Sequence, residues 1–304
     1  MSTGLADPSR LATPPTFQSV STGRKIKNGL ATVLVWLAFA VAVVPLVWVL
    51  YTVVARGFPS IVDADWWQKS LSGLLGRQQG GGAYHAIVGT LLQGLVCGVI
   101  SVPIGIFVGI YLVEYGGRSK LARTTTFMVD ILTGVPSIVA ALFIYALWVT
   151  TLGFSRSGFA VALALVLLMI PVIIRTTEEM LKIVPDELRE ASYALGIPKW
   201  KTIMKIVIPT ALSGILTGIM LALARVMGET APVLVLVGYA AYINFNLFDG
   251  PMASLPLLMN VERNNPTQAG YDRLWGAAIT LVLIITLFNL LATVVSRWLA
   301  PKTK

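Results

Sequence analysis

The sequence predicts an all-α polytopic membrane protein with six transmembrane helices, and three observations carry that reading. Only 12% of the 304 residues are charged, whereas 56% are hydrophobic and mean hydropathy is +0.79; a soluble domain carries about 25% charged residues. Apolar runs close to the ~20 residues that a helix needs to cross a bilayer core recur along the chain. The cations behind the net charge of +9 sit in short clusters between those runs. Such clusters orient spans in a membrane, and no continuous basic stripe for nucleic acid is left.

Residues 1–28 are basic and rich in Pro, Ser and Thr, without an apolar stretch. They read as a disordered cytoplasmic tail and carry no secretory signal. The first span, 30–55, is uncharged apart from its flanks, with Pro45 a tolerable kink. The second, 86–113, contains Gly89, Gly94, Gly98, Gly105 and Gly109. Small residues let helices approach closely, so this span should pack against others. The third, 124–151, is interrupted by Asp130 and by Gly134, Val135 and Pro136. The fourth, 158–174, ends at Arg175. The fifth runs from about 206 to 241, broken by Arg225 and Glu229, and the sixth is 274–296. The segmentation is thus a tail at 1–28, a first span with its external loop at 29–84, a transmembrane domain at 85–298 and a tail at 299–304.

Orientation follows from the cations. With the N-terminus inside, fifteen Lys and Arg fall in cytoplasmic segments and six outside, Arg175 and Arg225 being left within or at the ends of spans. The bias puts both termini in the cytoplasm. Cys97 and His85 are each alone, so neither a disulfide nor a metal site is expected, and they read as a core and a span-end residue. No nucleophile, paired base or metal cluster suggests an enzyme, and no catalytic residue is assigned. Two external loops are long. That at 56–84 holds Trp66 and Trp67, read as interfacial anchors, and a flexible Gly80, Gly81, Gly82 run; that at 242–273 holds Asn264, Asn265 and Pro266.

The loop between the fourth and fifth spans is built as a helix. Pro185 suits a first turn, Asp186 and Glu187 suit its positive end, Gly196 supplies a stop, and Pro198 starts a new helix. Alone, this pattern describes an interfacial amphipathic helix. It also resembles a known family. Glu190, Ala191 and Ser192, then Gly196, then Ile206, Val207, Ile208 and Pro209 follow the E-A-A-x3-G-x9-I-x-L-P pattern of bacterial ABC importer permeases, with Ser192 for Ala and Ile208 for Leu. The resemblance implies the type I ABC importer permease fold, with a cytoplasmic coupling helix at about 185–206 that docks on a separate ATPase. Residues 175–180, Asp130 with Pro136 and Ser137, and 224–232 narrow it to the permeases of phosphate importers. The implied partners are an ATPase dimer, a second related permease, an external phosphate-binding protein and the lipid bilayer of the bacterial cell membrane. ATP and Mg would bind the ATPase, since no G-x4-G-K-[ST] loop occurs here, and this chain would need no cofactor of its own.

The candidate substrate pathway is Arg175, Glu178, Arg225 and Glu229. An Arg within the bilayer costs about 2.5–3.5 kcal/mol on insertion scales, so such residues face cavities or partners. Arg175 has Glu178 and Glu179 three and four positions on, and Arg225 has Glu229 at four. For Arg175 two readings stand, snorkelling to the inner interface or lining a pathway. Arg225 has apolar sequence on both sides and precedes Gly228 and Pro232, where the helix is expected to break. Guanidinium donors match an oxyanion in pairs, which fits phosphate, sulfate or molybdate alike. A secondary transporter would need no docking helix and commonly shows internal repeats, none of which is visible.

Overall fold

The computed structural model describes residues 21–299, with side chains to 297; the rest of the two tails, 1–20 and 300–304, lies outside the described residues. All regular structure among the described residues is helical. The molecule divides into two units, Met1–Tyr51 and Thr52–Lys304. The first, where described, is the leading part of helix α1 (Thr22–Val62), apolar and exposed on all sides as a lipid-facing helix is. Because α1 begins at Thr22, residues 22–28 are helix rather than tail. Arg24, Lys25 and Lys27 are good helix formers that extend the span.

The second unit holds the end of α1, then α2 (Ala64–Gln68) and α3 (Tyr84–Ile110) with a π-helical turn Tyr111–Tyr115. Next come α4 (Lys120–Thr133), α5 (Ser137–Ile144) with a π-helical end Tyr145–Thr151, and α6 (Gly158–Ile183). The short α7 (Asp186–Ala194) and α8 (Lys199–Thr202) lead through a π-helical turn Ile203–Val207 into α9 (Ile208–Met227). Helices α10 (Ala231–Leu236), α11 (Leu255–Arg263) and α12 (Gln268–Leu299) complete it. Five stretches are long and apolar enough to cross a membrane, and α4 with α5 passes the same test as a pair bent by 107°. Counted as one broken span, the pair gives the six that the sequence predicts. The bend is far sharper than a kink because three breakers stack: Gly134 caps α4, Val135 precedes a proline, and Pro136 opens α5 without an N–H to donate.

Helix α6 is the centre, and glycine brings its neighbours close. A Cβ on Gly105 of α3 would lie 2.5 Å from Ile173 Cγ2, and one on Gly109 would lie 2.8 Å from Thr177 Cβ. On α9, Gly218 abuts Thr176 and Gly214 abuts Met180, so α3 runs parallel to α6 and α9 antiparallel. The glycine-rich span therefore packs as predicted. Ile173 is fully buried, so Gly105→Val should lower the melting temperature of the purified protein, at about 1–3 kcal/mol for overpacking. Gly98→Ala should do far less, since its Cβ would meet only the end of the Leu223 side chain at 3.3 Å.

The segments at 56–84 and 242–273 differ from the sequence reading. Trp66 is 4% exposed, donates Nε1–H to Thr280 Oγ1 at 2.9 Å and packs on Gly276 of α12, so it joins helices instead of anchoring at an interface. A tryptophan pair offers no local sign of which member turns inward; Trp67 is the exposed one. The glycine run is pinned rather than free. Arg273 donates to Gln78 O at 2.5 Å and Gly80 O at 3.3 Å, and Gly82 sits against the carbonyls of Trp66 and Lys69. The loop at 242–273 folds inward through buried Met252, Leu255 and Leu258 and carries a buried Glu262–Arg273 ion pair at 3.5 Å. His85 and Cys97 are buried, His85 Nε2 lying 3.3 Å from the Tyr239 hydroxyl.

Candidate functional site

The first candidate site is the surface of α7. Its start carries Asp186 and Glu187 at the positive helix end. Its end is a Schellman motif: Gly196 N–H donates to Tyr193 O at 2.9 Å, Ile197 N–H donates to Ser192 O at 3.2 Å, and Gly196 takes φ +71°. Ser192 is buried and bonds the Thr202 hydroxyl at 2.8 Å, tying α7 to α8. That bond explains a hydroxyl where the importer pattern has Ala; its partner Thr202 is ten residues on, in the next helix, where the sequence pattern gives no sign of it. Ser192→Ala should lower stability by about 1 kcal/mol, read as a small shift in melting temperature. Glu190 and Ala191 are exposed beside Leu195, at 79%, and Trp200, at 62%. Ile206 lies in the π-helical turn that runs unbroken into α9, and Pro209, which has no N–H to donate to the preceding turn, follows directly where the helix widens.

A second device holds α7 in place. Arg189 donates to Glu114 Oε1 from Nη2 at 2.9 Å and from Nε at 3.1 Å, and to the carbonyls of Val184 and Leu181 at 2.7 and 3.0 Å. Glu114 lies in the π-helical end of α3, only 5% of its side chain exposed, and Lys199 Nζ reaches its backbone carbonyl. These bonds tie α7 and the start of α8 to the end of the second span. The partner of Glu114 is 75 residues away, and its sign in the sequence is a lone carboxylate closing an otherwise uncharged span. Breaking a buried pair from one side costs about 3 kcal/mol. Glu114→Gln should therefore destabilise the purified protein clearly more than Ser192→Ala does.

The two membrane arginines separate. Helix α6 continues to Ile183, so Arg175 lies within a helix and not at its end. Arg175 Nη1 donates to Glu178 Oε2 at 2.8 Å, Nη2 donates to Asp130 of α4, and Lys182 pairs with Glu178 at 2.6 Å. Glu179 faces outward and takes no part. This network is electrically neutral and clamps the bent pair to α6. Asp130 was visible as a charge inside a span, and such a charge needs a partner. Arg225, by contrast, is exposed, and among the described residues neither it nor Glu229 has an ion-pair or side-chain hydrogen-bond partner. The expected Arg225–Glu229 pair is not formed. Helix α9 stops at Met227 with Gly228 as its cap, so Glu229 leaves the helix and the i, i+4 geometry no longer holds. By the register of Gly218 on Thr176, Arg225 lies about 10 Å along the axis from Arg175, at 1.5 Å per residue. A free guanidinium there presents a planar fork of donors to an oxyanion.

These features meet known proteins at residues 101–304, which match the model of the binding-protein-dependent transport system inner membrane component family. The phosphate transport system permease protein PstA 1 of Mycobacterium tuberculosis is 55% identical over 291 residues, 96% of this chain and 95% of its own. The chain belongs to this family, as a PstA-type permease. PstA of Mycobacterium leprae is 57% identical over 274 residues, 90% of each chain. In fold, the permease resembles a chain of the bacterial alginate ABC transporter crystallised with its alginate-bound periplasmic protein, at TM-score 0.60 and 14% identity over 88% of this chain and 96% of that one. The type I ABC importer permease fold is thus shared.

Proposed function

We propose that this permease is one of two membrane subunits of an ATP-driven importer that passes inorganic phosphate into a bacterial cell. The observation that carries the reading is α7, a short helix tied by Arg189 to the second span and ended by a rigid cap, with Leu195 of that cap and Trp200 of the following α8 exposed beside it. A surface of that kind suits docking on a separate ATPase, which would bind ATP and Mg; no cofactor is assigned to this chain. A related second permease and an external phosphate-binding protein complete the set. Phosphate as substrate is supported by the names of relatives 55–57% identical to this chain, and Arg225 supplies chemistry that suits it. Arg175, held by two carboxylates, serves as a clamp. Arg225 lines the pathway, and Glu229, beyond the Gly228 cap, leaves its guanidinium free for the ion.

Uptake of labelled phosphate by a deletion strain carrying this chain and its partners tests the substrate. Excess sulfate or molybdate should leave uptake unchanged; equal competition by either would reassign the substrate. The cation bias supports cytoplasmic termini. A reporter enzyme active only outside should be silent after Lys304 and active when inserted after Gly153, in an exposed loop with nothing within 4 Å of where a Cβ would sit. The reverse pattern would invert the orientation.

A further inference from the structure

At the α7 end of the bundle lies a cleft of about 750 Å³ that neither the docking surface nor Arg225 uses. The chain leaves α3 through its π-helical turn, and Gly117, at φ +50°, reverses it so that α4 starts at once. Ser119 caps α4, its Oγ accepting from Ala122 N at 3.1 Å. Arg118 and Arg123 flank this turn, both exposed, and neither has a carboxylate partner among the described residues. The two carboxylates of the cleft, Asp130 and Glu178, are already matched by Arg175 and Lys182. Arg118 and Arg123 therefore stand as two cations in excess.

The rest of the lining is of another kind. Leu112, Val113 and Phe127 form an apolar wall continuing from this cationic rim along the spans, and Phe127 is 59% exposed. A free anion would use the rim and leave the wall bare. An amphiphile with an anionic head uses both, and basic pockets between helices on the cytoplasmic side are where such heads bind. We propose that the cleft between the end of α3, α4 and α6 binds an anionic phospholipid. Arg118 and Arg123 hold its phosphate, and its acyl chains lie along Leu112, Val113 and Phe127. Placing the cleft on the cytoplasmic side rests on the orientation proposed above, but lipid retention by purified protein does not depend on it, so the two can fail separately.

The experiment compares the full-length wild-type protein with the double variant Arg118→Gln/Arg123→Gln. Both are purified in mixed micelles of phosphatidylglycerol and phosphatidylcholine, and retained lipid is counted by native mass spectrometry. Wild type should retain phosphatidylglycerol selectively, and the double variant should bind it roughly thirtyfold more weakly, as two surface cations are worth. Phosphatidylcholine should be unaffected. Arg118→Lys/Arg123→Lys should keep most of the binding, which separates lost charge from a lost fold. Equal retention of phosphatidylglycerol by wild type and the Gln variant would overturn the proposal. So would its displacement by excess inorganic phosphate, which would make the cleft a free-anion site.

Discussion

Arg225→Gln should reduce phosphate uptake by roughly a hundredfold, the loss expected when charge-assisted hydrogen bonds to an anion are removed. The amount of protein in the membrane should not change, because among the described residues the guanidinium has no ion-pair or side-chain hydrogen-bond partner. Arg225→Lys should retain a part of the activity, since an ammonium keeps the charge without the paired donors. The structure also decides a further arm. Glu229 lies beyond the Gly228 cap and does not pair with Arg225, so adding Glu229→Gln to Arg225→Gln should restore nothing. Near-normal uptake in that double variant, measured with labelled phosphate, would mean that the arginine serves only to neutralise the glutamate.

Gly196→Val should separate ATP hydrolysis from transport. At φ +71° a residue with a β-carbon is strained by about 1–2 kcal/mol, and a β-branched one most. Nothing lies within 4 Å of where that Cβ would sit, so the penalty falls on the cap alone and the fold of the bundle is untouched. The end of α7 would then re-form, displacing Leu195 and the Ser192–Thr202 bond. Purified complex carrying Gly196→Val should lose most of the ATPase stimulation that loaded binding protein gives. Gly196→Asn should keep most of it, since Asn tolerates the left-handed region. Equal stimulation in all three proteins would remove the cap from the coupling mechanism.

The sequence makes local features legible and long-range ones obscure. Span positions, the α7 helix, its Gly196 stop and the break at Gly228 all follow from periodicity, composition and the special geometry of glycine and proline, which act within a few residues. What escaped depends on packing between distant segments. Arg189 meets Glu114 across 75 positions, and Trp66 meets Thr280 across 214. Arg175 illustrates both sides: its bond to Glu178 follows from helical spacing, whereas its bond to Asp130 needs the bent pair folded against α6. The Arg225–Glu229 pair was expected from the same spacing and fails because the helix ends between them. A stop signal read three residues along was therefore enough to cancel a pairing rule, and both were visible together.

Cross-linking from Leu195 tests the central claim, that α7 is where a separate ATPase takes hold, most directly. Cys97 is the only cysteine of the chain and is buried, so Leu195→Cys would present a single reactive thiol on the exposed cap. In membranes containing the whole importer, a short thiol-to-amine cross-linker should join this position to the ATPase subunit and not to the binding protein, and yield should change when ATP is trapped. Absence of any ATPase adduct from Leu195, with uptake intact, would contradict the account.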